Sequence, residues 1–363
     1  MAGRDDYALK SGAAAEVPAP VLDYLPPRPR QAHRIALVGA GGISFAHLDA
    51  YRSHGFDVAV ILSRDAAKAR ARAEEFFPDA EVMTDHASLL ARDDIDVVDL
   101  TPHPADRLPL IEAALRAGKH VLSQKPFVTD LDAGERLCAL AEARGLHLAV
   151  NQNGRWAPHL AWMRAAVRAG LVGQVMSVHV AIHWDHRWIA GTPFAAMADV
   201  VIQDFGVHWF DFVTSVMGRP ARRVMAQAVA GPQPGFPPML ASALMDFGDA
   251  QASLVFDAAT PFGPQDTTYV AGTAGSLMST GPDLGRQEVS LHTAAGVARP
   301  ALQGQWFNDG FAGAMGALLV AIETGVPPEN AARGNLVSLA NTFAALQSVR
   351  SGLPVVPGSA RSR

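Results

Sequence analysis

Three side chains in this sequence combine into a recognisable chemistry: Lys125, Asp204 and His208. Oxidising a secondary alcohol removes a hydride and a hydroxyl proton, and the proton needs a base that titrates near neutrality, which favours histidine. Asp204 and His208 stand four positions apart in a stretch with helical patterning. Both side chains then fall on one helical face, where the carboxylate can orient the imidazole. The same spacing also occurs in surface pairs and helix caps. Lys125 follows His120 to Ser123, which read as a strand. An ammonium at a strand end can hydrogen-bond a reacting oxygen and stabilise the alkoxide that develops there. A solvent-facing lysine is the plainer alternative.

The elements that must bring these groups together begin at Ile35 to Ser44, IALVGAGGIS. Four apolar residues form a strand, Gly39, Gly41 and Gly42 form a turn, and Ile43 leads into a helix. Glycine leaves the turn's N–H groups clear for a pyrophosphate, and the helix start adds a field that favours an anion. Ser44 stands where the dinucleotide fingerprint has a third small residue. The context gives the turn its weight. Strands at Val58 to Leu62, Glu81 to Met83, Val97 to Leu100, His120 to Ser123 and His147 to Val150 alternate with helices at Ala66 to Phe77, Ala87 to Ala91, Ala105 to Ala117 and Leu131 to Arg144. Such alternation predicts a doubly wound parallel sheet of α/β class, with ligands at the strands' C-terminal ends. Those ends are Gly39, Ser63, Thr101, Gln124 and Asn151. Where an acid would hold a ribose 2′-hydroxyl, the chain has Ser63-Arg64-Asp65. Ser63 removes a charge that would repel a 2′-phosphate and Arg64 offers one that attracts it, so NADP(H) is expected over NAD(H). The alternatives are that Asp65 serves as the acid, or that Arg64 is simply solvated.

After residue 151 the pattern changes. A helix at Leu160 to Ala169, a half-buried strand at Val175 to Trp184 and a helix at Asp199 to Met217 precede strands at Arg223 to Val229, Leu240 to Phe247, Gln251 to Asp257, Thr267 to Ala271, Ser276 to Ser279 and Glu288 to His292. These predict an α+β unit with a largely antiparallel, open-faced sheet, followed by helices at Asp309 to Thr324 and Asn330 to Arg350. The expected division is a flexible arm over 1–33, a Rossmann domain over 34–152, a substrate-binding and oligomerisation domain over 153–356, and a tail over 357–363. His183-Trp184-Asp185-His186-Arg187-Trp188 offers polar groups and ring faces to a sugar, so His183, Asp185, His186 and Trp188 are candidate substrate contacts. No metal is expected there, because His183 and His186 lack the helical spacing of a zinc motif and no cysteine is near.

Composition narrows the class. The 363 residues suffice for two cores, 49% of them are hydrophobic, and a net charge of -5 gives no footprint for nucleic acid. No apolar run has the length of a membrane span. A single cysteine, Cys138, excludes an internal disulfide and fits a reducing compartment such as the cytoplasm.

Several motifs in order resemble the glucose–fructose oxidoreductase/inositol 2-dehydrogenase (Gfo/Idh/MocA) family. They are the glycine turn, Leu100-Thr101-Pro102, Ala117 to Pro126 (AGKHVLSQKP), Asn151 to Trp156 (NQNGRW), and Asp204-Phe205-Gly206-Val207-His208 with Asp211 behind it. The resemblance implies hydride transfer between a nicotinamide cofactor and a sugar, polyol or related small molecule, and a cis bond before Pro126. It implies that Thr101, Pro102, Gln124 and Lys125 border the cofactor, and that Asn153, Arg155, Trp156, Asp204 and His208 border the substrate. It also implies a homodimer or homotetramer. A cofactor-retaining enzyme that cleaves glycosidic bonds and a non-catalytic nucleotide sensor remain open on the same fold. Two departures stand out. Gln124 replaces the family's usual Glu, which is expected to leave the Lys125 charge with less support, and Asp106 replaces a frequent His.

Overall fold

Residues 14–231 and 234–362 are described by a computed structural model. The first thirteen residues of the expected arm and Arg363 of the expected tail lie outside the described residues.

Alternation of apolar strands and amphipathic helices produces the parallel sheet. Strands β1 (Arg34–Val38) and β2 (Asp57–Leu62) are joined through α1 (Ser44–His54), and α2 (Ala66–Phe76) leads to β3 (Glu81–Met83). Helix α3 (His86–Leu90) precedes β4 (Val97–Leu100), α4 (Pro104–Arg116) precedes β5 (His120–Gln124), and α5 (Leu131–Ala143) precedes β6 (Leu148–Asn151). The strand order is β3-β2-β1-β4-β5-β6, and every pairing is parallel. Because the chain winds outward from β1 on one side and from β4 on the other, a crevice opens beyond their carboxyl ends. Both faces of the sheet are buried, which is why its strands are largely apolar and do not alternate.

Helix α6 (Pro158–Arg168) and β7 (Val175–His183) begin the second unit, followed by α7 (Val207–Met217) and strands β8 (Arg223–Val229), β9 (Leu240–Asp246), β10 (Gln251–Asp257), β11 (Gln265–Gly272), β12 (Gly275–Asp283), β13 (Arg286–Thr293) and β14 (Gly296–Ala298). They form one eight-stranded sheet, β14-β13-β12-β11-β7-β10-β9-β8, in which β7 and β10 pair in parallel and the other neighbours antiparallel. On β7 alone, Val178, Val180 and Ile182 face the core and the residues between them face outward.

Four expectations need correction. The helix expected over Asp199 to Met217 begins as a π-helical turn, Val201–Gly206, before α7. Gly206 permits that wide turn, because a Cβ there would lie 2.9 Å from the Val201 carbonyl oxygen. Helix α8 (Trp306–Thr324) touches the second unit's core through Trp306, but most of its buried face packs elsewhere. Its Phe311, Met315 and Leu318 share a core with Ile35, Leu37 and Leu122 of the parallel sheet. Helix α9 (Ala332–Ser351) packs against α5, α7 and β8 and so ties the two units together. The described part of the arm is docked. The Val17 N–H donates to the Val297 carbonyl at 2.9 Å, and the N–H groups of Arg30 and Gln31 donate to Glu323 at 2.8 and 2.7 Å. The tail is held as well, since the Leu131 N–H donates to the Arg361 carbonyl and the Arg361 guanidinium pairs with Asp132 and Glu135.

Candidate active site

Strand β1 delivers the glycine turn to the crevice. Gly39 has φ +106, and a Cβ there would lie 2.4 Å from Thr101 Oγ1. The Thr101 hydroxyl donates to the carbonyls of Gly39 (2.8 Å) and Val38 (3.0 Å), stitching the turn to the end of β4, with Pro102 packed beside it. Gly41 and Gly42 are different. A Cβ at either would meet nothing within 4 Å, so the protein's own packing does not demand glycine there. Close approach of a ligand to the backbone would. Ile43 at the N-cap of α1 makes no side-chain cap bond, and the first turn of α1 carries no acidic residue. These features fit a dinucleotide pyrophosphate.

At the end of β2, Ser63 Oγ accepts from the Asp65 N–H at 3.2 Å. Asp65 caps α2, accepting from the N–H groups of Ala67 and Lys68. Its carboxylate is therefore engaged with the helix, which weakens the reading in which it serves a ribose. Arg64 is exposed, and among the described residues no hydrogen bond or ion pair occupies its guanidinium. At the end of β5, the Gln124 side chain is buried, and its Oε1 accepts from Asn151 Nδ2 at 2.8 Å.

Lys125 follows, with a cis bond to Pro126. Its ammonium crosses to the second unit and donates to Asp204 Oδ1 at 2.9 Å and to the Asp204 carbonyl at 2.8 Å. Both side chains are mostly buried, at 14% and 16% exposure, so the pair is shielded yet reachable. Here the expected Asp204–His208 bond fails. The π-helical turn places Asp204 on the lysine, and His208 Nδ1 is buried without a partner among the described residues. His208 begins α7 against Gly154, where a Cβ would approach Nδ1 to 3.2 Å, and its ring meets Trp209 and Trp306 edge-on. Burial first, and the Lys125 charge second, push the imidazole down to about 3. It is neutral at ordinary pH and does not titrate in the usual histidine range.

The other sequence candidates divide. Arg155 is spent inside the protein. It pairs with both oxygens of Asp211 at 2.7 and 2.8 Å, and Ser338 Oγ donates to the same carboxylate. Asn153 and Trp156 are buried beneath α8, where Gly313 lies directly on the indole and Gly310 on Asn153. These three hold a short 3-10 turn between α7 and α8, and Arg155 and Trp156 are engaged there by the protein's own packing rather than free for substrate. His183 is corrected for a simpler reason. It is one position out of phase with the core-facing Val180 and Ile182, so it points to the open sheet face, where it bonds Asp257 at 2.8 Å. Asp185 is occupied by Arg187, which lowers its carboxyl to about 2. His186 does lie beside the site. It stacks on Phe205 at 4.2 Å, accepts from Trp188 Nε1 at 3.1 Å, and burial lowers it to about 4. Trp188 stands at the exposed rim. Among the described residues no three His, Cys, Asp or Glu side chains are grouped to hold a metal ion.

Sequence reasoning missed Gly154 and Trp306, which wall the imidazole, because neither residue type signals a position in a site.

Residues 33–152 match a family described as an oxidoreductase family with an NAD-binding Rossmann fold, and residues 160–278 match the GFO/IDH/MocA C-terminal domain. D-apiose dehydrogenase of Paraburkholderia graminis is 28% identical over 203 residues, 54% of each chain. A dTDP-3,4-didehydro-2,6-dideoxy-alpha-D-glucose 3-reductase of Streptomyces violaceoruber is 32% identical over 197 residues, covering 53% of this chain and 56% of its own. The chain thus spans about half the length of these curated relatives. Among solved structures, an oxidoreductase from Agrobacterium radiobacter in complex with NAD+, L-tartaric acid and magnesium superposes with a TM-score of 0.81 at 21% identity, covering 91% of this chain and 99% of that one. The WlbA dehydrogenase from Bordetella pertussis, in complex with NADH and UDP-GlcNAcA, gives 0.74 at 20% identity, covering 90% and 99%. With its parallel and antiparallel sheets, its glycine turn and both domain matches in register, the chain belongs to the Gfo/Idh/MocA oxidoreductase family.

Proposed function

We propose that this chain is an NAD(P)-dependent dehydrogenase or reductase acting on a hydroxyl or carbonyl of a sugar, polyol or related small molecule, with NADP(H) favoured over NAD(H). The observation that carries this reading is Lys125. It projects from the end of β5 onto Asp204 beside a neutral, partnerless His208, at the mouth of the crevice that the glycine turn opens. Gly39, Gly41, Gly42, Ile43 and Thr101 would hold the nucleotide at its pyrophosphate, with Ser63 and Arg64 at the adenosine ribose. When bound, the nicotinamide accepts or supplies the hydride. The chain's own groups manage the oxygen. The Lys125 ammonium hydrogen-bonds it, Asp204 anchors that ammonium, and the neutral His208 accepts the hydroxyl's hydrogen bond in the oxidative direction, the proton passing on to water because an imidazole held near 3 does not keep it. The relatives named above for D-apiose and for a dTDP-linked keto sugar support a carbohydrate-like substrate.

The test is a panel of sugars and polyols incubated with NAD+ and NADP+, followed by the absorbance of the reduced nucleotide. Reduction with NADP+ preferred is the expected result. Binding of nucleotide with no reduction across the panel would favour a sensor, and cleavage of a glycoside without release of reduced nucleotide would favour the cofactor-retaining reaction. The single buried cysteine supports a cytoplasmic setting. The outer face of the eight-stranded sheet exposes Met176, Met225, Leu244, Tyr269 and Met278, a broad apolar surface that a second copy would cover. Light scattering should therefore give a dimer or tetramer, and a monomer at micromolar concentration would refute this.

A further inference from the structure

On the α1 side of the parallel sheet, four polar side chains interrupt an otherwise apolar face, and they are connected. Asp99 of β4, His47 and Tyr51 of α1 and Asn151 of β6 are all fully buried. Asp99 Oδ2 lies 2.7 Å from His47 Nδ1 and 2.7 Å from the Tyr51 hydroxyl. His47 Nε2 lies 3.1 Å from Asn151 Nδ2, and the same Nδ2 lies 2.8 Å from Gln124 Oε1. Among the described residues, nothing accepts a hydrogen bond from Gln124 Nε2.

With His47 neutral and donating from Nδ1, the donors and acceptors of this chain run in one direction, which leaves Asn151 Oδ1 without a partner among the described residues. A carboxylate only accepts, so Tyr51 donates its hydroxyl and His47 donates from Nδ1. Burial and the Asp99 charge hold the Tyr51 phenol well above its usual range, which keeps it a donor. In that neutral form the His47 Nε2 carries a lone pair, which accepts from Asn151 Nδ2. The amide's second hydrogen then goes to Gln124, which must accept through Oε1. Each step fixes the next.

We propose that the Asp99–His47–Asn151 relay sets the polarity of position 124, locking the Gln124 amide with Oε1 inward so that Nε2 presents N–H donors to an acceptor oxygen of the bound nucleotide. Gln124 is the ligand contact, and Asn151 and His47 are positioning residues that act through it. A glutamate in its place would offer only acceptors outward. The inference rests on the proposed nucleotide site and deepens it by naming the chemistry that Gln124 selects.

The direct test needs no ligand. Nitrogen-15 NMR of histidine-labelled apo protein should show His47 as the Nδ1–H tautomer with an unprotonated Nε2. A protonated Nε2 would reverse the relay and overturn the proposal. The functional test measures NADP+ dissociation by intrinsic fluorescence for Gln124→Ala, Asn151→Leu and the double variant. One hydrogen bond lost should weaken binding by about tenfold in each single variant, and the double should be no weaker, because Asn151 acts only through Gln124. Losses that multiply to about a hundredfold would show that Asn151 supports the fold independently, and would sink the idea. Should Asn151→Leu fail to fold, Asn151→Asp serves. Its acceptor-only side chain must turn the Gln124 amide over, and affinity should fall to the level of Gln124→Ala, whereas parent affinity would refute the relay. If the parent binds neither NAD+ nor NADP+, the proposed function fails while the His47 tautomer still decides the relay.

Discussion

Replacing Asp266 with Asn should stabilise the protein, and by more as pH rises. Asp266 is fully buried on β11, and neither carboxyl oxygen has a partner among the described residues. Burial first, and the nearby Asp283 charge second, lift its carboxyl from the usual 3.8 to about 7. The folded protein therefore holds this proton more tightly than the unfolded chain does. Stability from the protonated acid is fully present below the unfolded value, falls as pH rises, and is lost once pH passes the folded value near 7. The interval between the unfolded and folded values corresponds to roughly 4 kcal/mol, a ceiling for one buried group. Asn does not titrate. Urea unfolding of parent and variant should thus diverge by about 3 kcal/mol between about pH 5 and about pH 8, with equal slopes against urea. Any fixed cost of the new amide cancels in that difference. If the stability gap is the same at both pH values, Asp266 is not a buried acid of the kind described, and a partner or bound water must satisfy it.

Three further outcomes follow from the site. Lys125→Met and His208→Ala should each lower turnover by about a hundredfold while leaving nucleotide affinity near the parent's. Because burial holds His208 near 3, the parent's rate profile should show no His208 limb near 6.5; a limb there that vanishes in His208→Ala would contradict the burial. Ser63→Asp should move preference toward NAD(H) by on the order of tenfold in relative dissociation constants, since the new carboxylate repels a 2′-phosphate; unchanged preference would place the ribose elsewhere. Asp211→Ala strands the Arg155 guanidinium in the interior and should cost about 3–5 kcal/mol, read by chemical unfolding, whereas a loss below about 1 kcal/mol would mean that Arg155 finds water.

The parallel sheet was legible because its strands are mostly apolar and its helices periodic, and both follow from burial on two faces. The position of α8 was not. A helix apolar on most sides reads as buried but does not say against what, and Phe311 and Met315 joined the earlier sheet across a long stretch of chain. Gly206 gives no warning of a π-helical turn, so the spacing of Asp204 and His208 reads as that of an ordinary helix. The side taken by His183 was legible, against its reading as a substrate contact. The alternation that marks β7 also fixes which side each residue takes, and Val178, Val180 and Ile182 assign His183 to the open face.

Polar pairs inside a core are the hardest to anticipate, because Arg155 and Asp211 carry the same composition whether they line a site or brace one. Their separation of 56 positions is set by the packing of α7 against the 3-10 turn, which no local pattern encodes. Gln124 shows the opposite case. Its departure from Glu is visible in the sequence and reads there as removing support from the Lys125 charge. The structure gives that support to Asp204, in direct contact at 2.9 Å, which frees position 124 from balancing the ammonium. Once a neighbouring carboxylate does so, a neutral amide at the strand end is tolerated. Its outward polarity then rests with Asn151, a residue whose motif had suggested the substrate side of the crevice.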